Sequence, residues 1–175
     1  MSSPNFRLHI FLGLILSLGL ISCAPVGKTT VWKNRNFSFA QFEISEVQQV
    51  VNATGKAVPK NALESITHQL KTQLGTLDLL TAKPFKGDAL IIRSELLAYG
   101  VFKPAATGLS LRLGGPAKSM CTLRTHLALK TKATPVATVV TTQETGASIY
   151  NSMKNFDNRV LTEAAKVTAR RIAVM

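Results

Sequence analysis

The sequence predicts an α+β domain, a two-layer sandwich in which a three- to four-stranded, mostly antiparallel sheet carries two helices on one face. Two periodic patterns of apolar residues predict this architecture. Apolar residues recur with helical spacing in residues 63–77 and 151–175, and they alternate with polar residues in residues 118–130. Strand-like and helix-like segments are too mixed along the chain for an all-α or all-β domain, and their order is β-α-β-β-β-α.

The first strand is expected at residues 37–44, which are aromatic and β-rich, with Phe37 and Phe39 alternating. A helix follows, because apolar residues then return every three or four positions: Leu63, Ile66, Leu70, Leu74 and Leu77. Asn61 followed by Glu64 is typical of a capping box, which predicts the start of this helix.

Residues 88–101 form the next predicted strand, which is apolar on both faces at its centre. One face would carry Leu90, Ile92, Leu96 and Ala98, and the other Ile91, Arg93, Glu95, Leu97 and Tyr99. A strand of this kind belongs in the middle of a sheet. Arg93 and Glu95 share a face, and we expect a structural cross-strand ion pair there rather than a functional cleft.

The remaining elements are a hairpin and a second helix. Two β-rich segments, residues 118–130 and 135–142, are joined by a short turn, which predicts antiparallel strands. The helix is expected over residues 151–175, with an apolar stripe of Met153, Phe156, Val160, Ala164 and Val167.

The N-terminus has the layout of a secretory signal peptide. Arg7 precedes an apolar run over residues 8–21, and this run is shorter than the roughly 20 residues that a membrane-spanning helix needs. The run ends in Leu20-Ile21-Ser22-Cys23, which resembles the lipobox of bacterial lipoproteins. The resemblance implies cleavage before Cys23, a diacylglyceryl group on its thiol and a fatty acyl chain such as palmitate on its amine.

This resemblance divides the chain into a signal peptide (1–22), a lipidated Cys23 with a tether (23–36) and one domain (37–175). The alternative is that Cys23 is incidental, following an uncleaved anchor or an ordinary cleavage site. The residue after the cysteine is Ala24 and not Asp. In lipoproteins an Asp at that position causes retention at the inner membrane, so the resemblance implies an outer-membrane protein facing the periplasm.

The charge of the chain is strongly positive, with 21 Lys+Arg against 9 Asp+Glu and a formal net charge of +12. Removal of residues 1–22, which contain one basic residue, leaves 153 residues at +11. Export makes nucleic acid an unexpected partner. The expected partners are the membrane, through the lipid, and another envelope protein or an anionic lipid or glycan. The open alternative is that the charge confers solubility only.

Residue patterns for catalysis or metal binding are absent from the sequence. Cys121 alternates with Leu123 and Leu127, which predicts a buried apolar residue, and His126 falls on the opposite face. The His and Cys residues form no H-x-x-x-H or C-x-x-C pattern, and no G-x-S-x-G elbow occurs. We therefore predict a protein without enzymatic activity, metal or cofactor.

A Gly-rich connection spans residues 102–117 and contains Leu111-Arg112-Leu113-Gly114-Gly115. With the lipobox, tether, helix and hairpin, this layout resembles a broad group of uncharacterised bacterial lipoproteins. Their small α/β sandwich is similar to that of curli-secretion-type and lipopolysaccharide-assembly-type outer-membrane lipoproteins.

The expected function is to bind or support another cell-envelope component. Residues for partner contact would be Arg112, Gly114 and Gly115 with Tyr99 and Phe102, which could line an apolar groove; core packing is the alternative for the two aromatic residues. A second hypothesis is an envelope enzyme or ligand-binding domain with a cleft near the Gly-rich connection.

Overall fold

The protein is described from a computed structural model, which covers residues 26–38, 42–80, 89–102, 118–131, 134–146 and 158–175. Within these residues the chain forms six strands and two helices. The strands are β1 (Val26–Lys33), β2 (Glu43–Val47), β3 (Val51–Asn52), β4 (Ala89–Phe102), β5 (Lys118–Leu129) and β6 (Pro135–Gly146). The helices are α1 (Lys60–Thr76) and α2 (Asn158–Ala173).

All six strands belong to one mixed sheet with the order β1-β6-β5-β4-β2, and β3 pairs with β4 as well. The pairs β1/β6, β5/β6 and β4/β5 are antiparallel, whereas β2 and β3 run parallel to β4. The two helices pack on this sheet and on each other. The predicted α+β two-layer architecture is therefore confirmed, but the sheet is larger than the three or four strands expected.

Strand β1 lies inside the segment that the sequence analysis predicted as a tether. All eight of its residues pair with β6, from Val26 opposite Glu144 to Lys33 opposite Ala137. The local sequence Thr29-Thr30-Val31-Trp32 is β-branched and aromatic, which suits an edge strand that is covered only partly. Its apolar residues are few, and for this reason the hydrophobic period did not reveal it.

Of the first predicted strand, at residues 37–44, only Glu43 and Ile44 belong to β2, and the prediction was wrong for Phe37, Ser38 and Phe42, which lie outside any strand. Residues 39–41, including Phe39, lie outside the described residues. Phe37 is buried, and its ring stacks on that of Phe42 with the centroids 5.4 Å apart. These two aromatic residues therefore pack on one another and not as members of one strand. Strand β2 buries Ile44 and Val47, which are three residues apart because a β-bulge falls between Ile44 and Glu46.

Helix α1 lies where it was predicted, and Ile66, Leu70 and Leu74 are fully buried as expected. Leu63 is partly buried, whereas the prediction was wrong for Leu77, which follows the helix and is exposed. The predicted capping box is wrong. The N-cap residue is Pro59, which provides no side-chain cap, so Asn61 lies within the first turn. The carboxylate of Glu64 instead lies 3.6 Å from the ammonium of Lys60, one turn earlier.

Strand β4 is central, as predicted, but it contains a β-bulge between Leu96 and Ala98 that the hydrophobic pattern did not predict. After the bulge, Tyr99 lies opposite Cys121, whereas Leu96 lies opposite Leu123. The extra residue reverses the alternation of faces. Tyr99 consequently packs against the hydrophobic core, on the helix side of the sheet and not on the face predicted for it.

The hairpin of β5 and β6 is confirmed, as is the second helix within the described residues, where Val160 and Ala164 are buried. The rest of its buried face is Leu161, Ala165, Thr168, Ala169 and Ile172, and Val167 is only partly buried. Residues 151–157, including Met153 and Phe156, lie outside the described residues.

The core fills the space between the helices and the inward face of the sheet. Leu70, Leu74, Leu123, Leu127 and Ile172 are among its fully buried side chains. Hydroxyl groups in this layer bond to one another. Thr168 Oγ1 of α2 donates to Thr141 Oγ1 of β6 at 2.9 Å, and the hydroxyls of Ser94 and Thr125 lie 3.0 Å apart. These hydrogen bonds satisfy buried hydroxyl groups, which would destabilise the fold if they had no partner.

Candidate partner-binding surfaces

Two surfaces of the domain are candidates for attachment and partner contact, and only the first was indicated by the sequence. The first is the end of the sheet where β1 starts. Cys23 precedes Val26 by three residues, so covalent geometry keeps their Cα atoms within about 11 Å, whatever the conformation between them. A lipid on Cys23 would therefore hold this end of the sheet close to the membrane. Cys23 itself lies outside the described residues.

The same end of the sheet carries the start of β5 and the ends of β4 and β6. Phe102 pairs with Lys118, and Lys118 pairs with Gly146. The chain consequently leaves and re-enters the sheet at this end for residues 103–117. Three predicted contact residues, Arg112, Gly114 and Gly115, lie in that segment and outside the described residues.

The two described members of the predicted contact set are on β4. The backbone of Phe102 ends the strand, and Tyr99 precedes it by three residues. Tyr99 is half-buried and packs against the core. Core packing, the alternative that the sequence left open for Tyr99, accounts for this contact.

The second surface is a groove between β1 and the last turns of α2, which the sequence analysis missed. It consists of two adjoining depressions of ≈ 440 and ≈ 390 Å³ that share Arg171 and Val174. The other lining residues are Gly27, Thr29, Val31 and Lys33 of β1 with Val167, Arg170 and Met175. We call this surface the β1–α2 groove.

The β1–α2 groove is basic and partly apolar. Lys33, Arg170 and Arg171 supply three cations, and none of the described acidic side chains lines the groove. Lys33 Nζ donates to the main-chain oxygen of Met175 at 3.2 Å, which joins the end of β1 to the end of the chain. Such a surface suits a partner that offers carboxylates or phosphates beside apolar groups.

At Gly27, β1 passes close over the end of the buried Gln143 side chain. A Cβ atom at position 27 would overlap the side-chain amide of Gln143, with the amide carbon only 2.6 Å away. Any side chain at position 27 would therefore displace Gln143 or lift the start of β1 from β6.

Groups that could perform catalysis are separated in the structure. Cys121 is fully buried, as predicted, and burial raises the pKa of its thiol to about 12. His126 lies on the other face, with Nδ1 2.9 Å from Thr138 Oγ1. Among the described residues, no group of three His, Cys, Asp or Glu side chains is arranged to hold a metal ion.

The ion pair expected near Arg93 and Glu95 is present as a cross-strand pair. Arg124 Nη1 of β5 donates to Glu95 Oε2 of β4 at 3.3 Å, and both side chains are more than a third exposed. Arg93 lies opposite His126 and is exposed. An exposed pair of this kind contributes about 0–1 kcal/mol, which is consistent with a structural role.

No helix in the described part of the chain is long and apolar enough to span a bilayer. No protein-family model matches the sequence. No curated protein matches it either.

Solved structures do match the fold. A point variant of PelC from Paraburkholderia phytofirmans, crystallised as a dodecamer, has a TM-score of 0.53 at 10% identity, over 85% of this chain and 98% of PelC. A DUF330 protein from Xanthomonas campestris also has a TM-score of 0.53, at 9% identity over 81% and 90% of the two chains. A minor lipoprotein from Acinetobacter baumannii covers 74% of this chain with a TM-score of 0.41, at 14% identity and over 93% of its own length. At these identities the likeness to PelC and the DUF330 protein is one of fold.

Proposed function

We propose that this protein is a membrane-anchored bacterial lipoprotein of the cell envelope. In this proposal Cys23 carries the lipid, and the domain faces the periplasm from the outer membrane. The single observation that carries the proposal is the lipobox Leu20-Ile21-Ser22-Cys23, which ends three residues before an edge strand of the sheet. Several acyl chains on one residue would hold the protein stably, because each buried CH₂ contributes about 0.8 kcal/mol.

We further propose that its role is to bind or support another envelope component, without chemistry of its own. The buried thiol of Cys121 and the separation of His126 from it favour binding over catalysis. The basic β1–α2 groove offers a surface for contact. The dodecamer formed by PelC suggests, in addition, that a domain of this fold can act as an assembly of several copies.

Cys23→Ala tests the anchor directly in cells that are fed a clickable fatty acid. The matched control is Cys121→Ala, which removes the other cysteine of the chain. We expect Cys23→Ala to abolish labelling and to release the protein from membranes, whereas Cys121→Ala stays labelled and membrane-bound. Labelling that persists in Cys23→Ala would overturn the proposal.

The proposed outer-membrane location has a test of its own. Ala24→Asp places the retention residue of bacterial lipoproteins directly after Cys23. Membranes separated by density should then show the protein moving from the outer to the inner membrane, with labelling at Cys23 unchanged. An unchanged distribution would contradict the location without affecting the lipid anchor.

A further inference from the structure

The strands at the two edges of the sheet, β1 and β2, carry opposite charges, although Lys56 lies beside β3 and Lys71 faces Gln49 between β2 and β3. At the β1 edge, the exposed charged residues of β1 and of the last turn of α2 are all basic: Lys28, Lys33, Arg170 and Arg171. At the β2 edge, Glu43 and Glu46 are the charged residues of the strand, and Asp78 lies beside it. Asp78 is placed there because Ile44 N of β2 donates to the carbonyl oxygen of Leu79, the next residue.

The carboxylates at the β2 edge are also the ones without a cation. Four other acidic residues of the described chain pair within 4 Å with a Lys or Arg: Glu64, Glu95, Glu144 and Glu163. Among the described residues, the acidic side chains that form no such pair are Glu43, Glu46 and Asp78. Within the described residues, the unpaired acidic side chains therefore lie at one edge only.

Exposed apolar side chains follow the same two edges. The described chain has five large apolar residues that are between 38% and 71% exposed. Val31, Trp32 and Val174 are at the β1 edge, Val51 of β3 is at the β2 edge, and Leu77 is next to Asp78. Apolar groups beside complementary charges are typical of protein–protein contact surfaces.

We propose that the partner of the β1–α2 groove is the β2 edge of a second copy of this chain. Contact between opposite edges is heterologous, so copies add head to tail and form a ring when the rotation closes. Contact of the β1 edge with itself would bring Lys and Arg together, which the charge disfavours.

The contact is made by side chains and not by a continuous sheet. The outer side of β2 is already occupied at Ile44, which also bridges to Leu80, and a bulge interrupts the strand before Glu46. Contact between opposite edges of the sheet permits every copy to keep the start of β1, and therefore Cys23, on the same side of the assembly. Only this placement on the membrane rests on the proposed function; the contact itself does not require the lipid.

Two sets of charge reversals test the contact in the full chain purified in detergent. Glu43→Lys with Glu46→Lys makes both edges basic. Lys28→Glu, Arg170→Glu and Arg171→Glu together place three carboxylates beside Lys33 and make both edges acidic. We expect the parent chain to assemble, each reversed chain to be a monomer at the same concentration, and an equimolar mixture of the two to assemble again. Mass is measured by analytical ultracentrifugation. The matched control, Lys118→Glu with Arg124→Glu, reverses two cations of β5, which β6 separates from β1 and β4 separates from β2, and should assemble as the parent does.

Recovery in the mixture separates loss of contact from loss of folding. A parent chain that stays monomeric, a reversed chain that assembles as the parent does, or a mixture that stays monomeric would each overturn the proposal. The same measurement on Cys23→Ala should give the parent's assembled mass. The edge contact and the lipid anchor can therefore fail separately.

Discussion

Strands β5 and β1 lie in the same sheet but differ in how their residues are covered. β5 has a strand on each side and helices on one face, so its residues alternate between buried and half-buried. Among the described strands β1 pairs with β6 alone, and its residues from Gly27 to Lys33 are exposed except for the half-buried Thr29. The covered strands at the centre of the sheet therefore determine the fold, whereas the exposed edge strands remain available for contact with a partner.

The largest expected effect is at the centre. Leu123→Ala on β5 removes a fully buried side chain from the core, and such a change lowers the free energy of unfolding by about 2–5 kcal/mol because a cavity remains. Val31→Ala at the edge strand removes a side chain that is 39% exposed, and we expect a change of about 0.5 kcal/mol. Denaturant unfolding of both variants measures the difference. Equal losses would show that β1 is as well covered as β5.

A smaller effect is expected where the edge strand meets the core. Gly27→Val forces a side chain against the amide of Gln143, and overpacking of this kind costs about 1–3 kcal/mol. The amide protons of β1 should then exchange faster while those of β5 stay protected. Gly75→Ala is the matched control, because nothing lies within 4 Å of a Cβ there and the position is helical. That variant should gain up to about 1 kcal/mol. Unchanged exchange in β1 of Gly27→Val would contradict the close approach.

The last effect, which is absent at neutral pH, concerns Cys121 and appears only in alkali. Burial raises the pKa of its thiol from 9.0 to about 12, so above pH 9 the unfolded chain loses this proton while the folded chain retains it. Stability should therefore fall as pH rises from 9 to 12, by up to about 1.4 kcal/mol per pH unit from this group. Cys121→Ala should lack this contribution, and the difference between the two pH profiles measures it. Parallel profiles would contradict the burial of the thiol.

The sequence predicted the central elements because their patterns are strong. Apolar and polar residues alternate over residues 118–130, and Ile66, Leu70 and Leu74 repeat with the helical period. The structure confirms the strand and the helix that these patterns predict. The edge strands were predicted poorly because their hydrophobic pattern is weak. An edge strand buries little, so β1 carries few apolar residues and was interpreted as a tether.

Local departures from the hydrophobic pattern also could not be predicted from the sequence. A single extra residue in β4 reversed the face of Tyr99, and no side-chain type in the sequence indicated that bulge. The β1–α2 groove depends on the pairing of β1 with β6, which are separated by most of the chain. The β-branched run Thr29-Thr30-Val31 was the one local indication of that strand.

The central claim is that Cys23 anchors the domain directly beside its edge strand. Mass spectrometry of the N-terminal peptide, taken from the membrane fraction, tests it most directly. We predict that the mature chain begins at Cys23 and carries both a diacylglyceryl group and an amide-linked acyl chain. A chain that begins elsewhere, or a Cys23 without lipid, would contradict the claim.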